Sequence, residues 1–184
     1  MIAEATAEVS NPSTGTGAEQ RATEINLRRD EIRDLLCMYR DTGVFVEKAA
    51  LRGDRLFAEF RTFKHPFLRS EPEHLTREHA LMFVTQASYL FAALFRQVDP
   101  DYPLSRDAFR RLALAERALF TRVQLNFHRV IRNRDGIVLE MWCDRFRLLG
   151  RRIFGRLSFL LPDGCDGSCD AVIVLDESMK RASA

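Results

Sequence analysis

The chain has 184 residues, 46% of them hydrophobic and 29% charged, with a net charge of +2. That is one domain's length, enough for a sizeable core. Its 28 basic residues are 25 arginines and three lysines, and residues 101–160 hold thirteen arginines against six acidic residues. A basic middle under a near-neutral total invites a nucleic-acid or anionic-ligand reading, against the plainer one of a composition that favours arginine.

Residues 1–20 lack the basic start and apolar run of a secretory signal. The longest apolar stretch, Ala80 to Phe95, is broken by Thr85, Gln86 and Ser88, short of the roughly 20 apolar residues of a membrane span. Cys37, Cys143, Cys165 and Cys169 are too scattered for a disulfide framework, and Cys165 and Cys169 match no zinc or redox spacing. A cytoplasmic protein with free thiols is expected.

Residues 1–22 read as a disordered leader, 23–178 as the single domain and 179–184 as a disordered tail. Ile25, Ile32, Leu35, Leu36 and Tyr39 recur at helical spacing and predict an amphipathic helix from Glu24 to Tyr39. Val44–Glu47 and Asp54–Phe63 predict strands joined by a turn at Arg52-Gly53-Asp54. Prolines bracket a loop from Phe63 to Pro72. Thr76 to Phe95 predicts a long buried helix, with Thr76 as N-cap and Glu78 in the first turn. An arginine-studded surface helix follows from Ser105 to about Ala118.

The remainder is strand-like. Leu119–Ile131 alternates with odd positions largely apolar, and Ile137–Leu149 shifts phase near Asp144, the mark of a bulge. Arg151–Leu161 alternates again, a Gly/Asp-rich turn covers Pro162–Asp170, and Ala171–Leu175 is a short apolar strand. The expected class is therefore α+β: an antiparallel sheet wrapped around a long central helix, the hotdog fold.

Polar residues concentrate where that helix begins: His65, Arg69, Ser70, His74, Thr76 and His79. A helix N-terminus offers unpaired N–H groups and a positive dipole end to an oxygen becoming an oxyanion, and histidine moves protons near neutral pH. The competing reading is a well-capped loop entering a helix. At about 100° per residue, Thr76, His79, Phe83 and Gln86 share one face and Glu78, Thr85 and Tyr89 another. One small site on one chain cannot use both faces, whereas a site between two subunits can. His74 and His79 miss the i, i+4 spacing for joint metal ligation, so no metal is expected.

The run Phe67-Leu68-Arg69-Ser70, His74-Leu75-Thr76 and Phe83-Val84-Thr85-Gln86-Ala87-Ser88-Tyr89 resembles the FcoT-type acyl-thioesterase family, whose pattern is close to Tyr-Ile-Arg-Ser…His-Phe-Asn…Phe-Asn-Gln-x-x-Tyr. Arg69, Ser70, His74, Phe83, Gln86 and Tyr89 correspond directly. Phe67 replaces a family hydroxyl, Thr76 and Thr85 replace asparagines, one extra residue separates Ser70 from His74, and His65 has no counterpart. The resemblance implies the hotdog fold, subunit pairing into a homodimer or larger homo-oligomer, and acyl thioesters on CoA or acyl carrier protein.

Some relatives, from isonitrile lipopeptide and polyketide biosynthesis, add glycine to a 2-enoyl thioester and then hydrolyse it. The lost amide and phenol groups, with a histidine gained beside them, favour that branch. The alternative is a plain fatty acyl thioesterase. On this reading His65 is the acid/base, His74 the second candidate, Arg69 holds the glycine carboxylate, and Ser70, Thr76, Thr85, Gln86 and Tyr89 bind substrate. No cofactor, nucleic-acid partner or membrane partner is expected.

Overall fold

The computed structural model describes residues 24–64, 69–70, 72–162 and 164–176. The expected leader and tail, and His65, lie outside these residues.

In chain order the elements are β1 (Glu24–Leu27), α1 (Arg29–Leu35), β2 (Val46–Arg52), β3 (Arg55–Phe60), α2 (Arg77–Leu94), α3 (Arg106–Leu114), β4 (Ala118–Phe127), β5 (Ile137–Leu149), β6 (Arg152–Leu161) and β7 (Cys165–Val174). The seven strands form one antiparallel sheet in the order β1-β2-β3-β5-β6-β7-β4. The chain leaves β3 through α2 and returns as β4 at the opposite edge. The intervening strands then fill the sheet with the helix held in its curve, which is the hotdog architecture.

Helix α2 is central because both its faces are apolar. Phe83, Val84, Ala87, Leu90 and Phe91 are buried, with Phe83 stacked on Phe60 of β3 at 4.3 Å. Thr76 caps it as the sequence predicts. The β2–β3 turn sits at Gly53, whose φ of +58° suits glycine. The β5 bulge falls at Asp144, where pairing with β6 skips from Cys143 to Arg145.

Several expectations need correction. The predicted first helix divides: Glu24–Leu27 pairs with β2 as a strand, and only Arg29–Leu35 is helical. Of the expected Gly/Asp-rich turn, Cys165–Asp170 belongs to β7. Cys165, Cys169 and Ile173 alternate into the core, and Gly167 is required by proximity: a Cβ there would stand 1.9 Å from the Gln124 carbonyl oxygen and 2.6 Å from Phe159. In β4 a bulge between Phe120 and Arg122 reverses the strand's phase, so Leu119 faces outward and Phe120 inward. The predicted strand and the surface helix before it are also shorter than expected, ending at Phe127 and Leu114.

Candidate active site

The start of α2 is fixed from two sides. Leu75 N–H donates to the Ile131 carbonyl at 2.7 Å, and Asn133 N–H to the Glu73 carbonyl at 2.9 Å. His74 forms an isolated antiparallel bridge with Arg132 through the backbone, and its side chain is exposed. Because Leu75 is already a donor, the N–H available to a ligand lies further on. Arg77 N–H, at the first helical position, has no partner among the described residues.

One turn in, His79 is fully buried. Its Nε2 lies 3.0 Å from the Phe63 carbonyl oxygen and its Nδ1 2.8 Å from Thr76 Oγ1. A carbonyl only accepts, so Nε2 carries the proton and Nδ1 accepts from the Thr76 hydroxyl. Thr76 N–H approaches the same Nδ1 at 3.4 Å, and His79 N–H returns to Thr76 Oγ1. This is a capping box with histidine where glutamate usually stands. The imidazole also packs on Phe63 at 4.3 Å, which stacks in turn on Phe45 at 4.0 Å. His79 was placed on the right face by periodicity but was not among the sequence-derived site residues. The Thr-x-x-His spacing was the available signal.

The other candidates separate. Arg69 and Ser70 are exposed ahead of the helix. Gln86 is fully buried, its Oε1 accepting from Phe45 N–H at 2.9 Å and its Nε2 donating to the Gly43 carbonyl at 2.6 Å. Thr85 donates to the Leu81 carbonyl one turn back at 2.7 Å. Tyr89, half-buried, donates to the Ala118 carbonyl at 3.0 Å, and burial raises its phenol above the ordinary tyrosine range. The two-face division holds: Thr76, His79, Phe83 and Gln86 point toward the β2–β3 side, whereas Tyr89 reaches the start of β4.

Along the second half of α2 the helix and sheet leave two small gaps between them. A cleft of about 40 Å³ lies between Phe91, Phe95, Phe146, Ile153 and Leu157, and a second of about 30 Å³ adjoins it at Ala92 and Ala171. No group of His, Cys, Asp or Glu among the described residues is placed to hold a metal ion. Among those residues no helix is long and apolar enough to cross a membrane.

The topology and the central helix thus define a hotdog-fold protein. Among solved structures, the chain is similar to the dehydratase heterocomplex ApeI:P from Xenorhabdus doucetiae, at 11% identity and a TM-score of 0.49, covering 82% of this chain and 94% of that one. It is also similar to a hypothetical thioesterase with coenzyme A from Streptococcus pneumoniae, at 10% identity and a TM-score of 0.44, covering 79% and 98%. No protein-family model matches the chain, and no curated protein sequence matches it.

Proposed function

We propose that this protein is an acyl-thioester-processing enzyme that adds glycine to a 2-enoyl thioester on CoA or acyl carrier protein and then hydrolyses the thioester. The product is a 3-(carboxymethylamino) fatty acid. What supports this reading is that Arg69, Ser70 and His74, on the approach to α2, are exposed and that the Arg77 N–H at its start has no partner among the described residues.

The glycine nitrogen lone pair attacks C3, and the C2–C3 π electrons move toward the thioester oxygen as an enolate. The ammonium proton passes to a base, and C2 takes a proton back. Water then attacks the carbonyl, and the thiolate leaves with a proton. Both steps place negative charge on the same oxygen, where a helix N-terminal N–H contributes about 2–4 kcal/mol. His65 is the proposed acid/base, with His74 as the second candidate. The Arg69 guanidinium matches a carboxylate by two parallel hydrogen bonds.

Ser70 orients the thioester, and Thr76, its hydroxyl donating to His79 Nδ1, shapes the helix start beside it. Thr85, Gln86 and Tyr89 act from the walls, their polar atoms engaged with the backbone. Tyr89 and Thr85 lie on the half-buried face of α2 toward β4, whose outer edge has no strand partner among the described residues. A second copy covering that face brings both helix faces to one site.

The test is mass spectrometry of the product formed by purified protein from a 2-enoyl thioester and glycine. The expected result is the glycine adduct as free acid. Thiol release indifferent to glycine identifies a plain thioesterase instead. Undiminished turnover by His65→Ala removes the acid/base assignment.

A further inference from the structure

We propose that the outer face of the sheet, at the end formed by the β5–β6 turn, attaches the protein to the surface of an anionic lipid bilayer. The reading is independent of the thioester chemistry. The cross-strand register maps that face row by row. The first row places Arg145, Arg156, Asp170 and Arg122 side by side across four strands. The next places Arg147, Phe154, Val172 and Leu119, and the last Leu149, Arg152 and Val174.

An apolar strip is therefore framed by five arginines and one aspartate. Leu149 is 62% exposed and Leu119 52%. None of the five arginines has a carboxylate within 4 Å among the described residues. Between the rows lies a hollow of about 330 Å³ walled by Arg145, Arg147 and Arg156.

Exposed leucines inside a ring of guanidinium groups without carboxylate partners match the lipid interface, where apolar groups enter the acyl boundary and cations meet the headgroups. Protection of a sheet edge by charge accounts for Arg145 and Arg147, since β5 outruns β3 beyond Trp142. It does not account for Leu119, Leu149 and Phe154. A second copy of the chain fits poorly, because a two-fold contact sets arginines against arginines. A carrier protein delivering substrate fits poorly as well. The helix start lies at the Ile137 end of β5, and thirteen residues at 3.3 Å separate the two ends by about 40 Å. The proposal replaces the expectation of no membrane partner, which rested on the absence of a spanning segment.

The experiment is co-sedimentation of the full chain with vesicles of phosphatidylcholine alone and of an equal mixture with phosphatidylglycerol, at low and high salt. Binding is expected only to the anionic vesicles, weakening with salt. Arg145→Gln with Arg147→Gln should lower affinity about fivefold per arginine. Leu149→Ser, at an exposed position, should lower it with an unchanged melting curve. Equal partitioning onto both vesicles, no partitioning, or full affinity in the double-arginine variant overturns the proposal. So does binding confined to a soluble acidic protein.

Discussion

Replacing Gln86 with leucine separates a wall residue from a substrate ligand. The side chain is nearly isosteric, so the change leaves volume intact and removes two hydrogen bonds. Phe45 N–H then stands buried without an acceptor, at about 1–3 kcal/mol. The Gly43 carbonyl, only partly buried, loses its donor at the lower end of the same range. Together these amount to about 2–4 kcal/mol, which at an m-value of about 2 kcal/mol per molar lowers the urea midpoint by about 1–2 M. Gln86→Glu should do no better, since a carboxylate still accepts from Phe45 but faces the Gly43 carbonyl with lone pairs. The assay is urea unfolding read by circular dichroism, paired with thiol release from an acyl thioester. A midpoint equal to the parent's, with thiol release lost, would refute the reasoning and return Gln86 to the substrate.

Gly167→Ala should destabilise the fold by about 1–3 kcal/mol or more, because the new methyl meets a backbone carbonyl that cannot move aside; a melting temperature equal to the parent's contradicts the close approach. Burial pushes the Cys143, Cys165 and Cys169 thiols up to about 11. At pH 8 a thiol reagent should therefore modify Cys37 first and the other three only after denaturation. The same shifts set a pH dependence. The unfolded chain ionises these thiols from about pH 9 while the native chain holds them neutral, so their contribution is complete below pH 9 and lost between 9 and 11. Stability that is flat across that window would contradict it.

The features legible in the sequence were those set by local chemistry. Thr76 caps α2 because its hydroxyl reaches the first turn, Gly53 turns β2 into β3, and the phase shift at Asp144 is a bulge. What escaped depends on a neighbour far along the chain. Glu24–Leu27 becomes a strand because Ala49–Arg52 is there to pair with it. Cys165–Asp170 looks like a turn until Gln124 and Phe159 require a glycine at 167. Helical periodicity put His79 beside Gln86, but its partner, the Phe63 carbonyl, is supplied by a different segment. The motif residues likewise divide by something spacing does not record: whether the backbone around each one leaves its polar atoms free.

The position of β4 has a consequence for biosynthesis. Among the described residues its only strand partner is β7, the last strand in chain order. As the chain emerges from the ribosome, α2 therefore has β3 to lean on early, with Tyr39 and Phe109 against its Tyr89 side, but β4 has no strand to pair with until Val174 is out. For that interval β4 must be shielded from other chains, and slow translation near the 3′ end of the message would prolong the exposure.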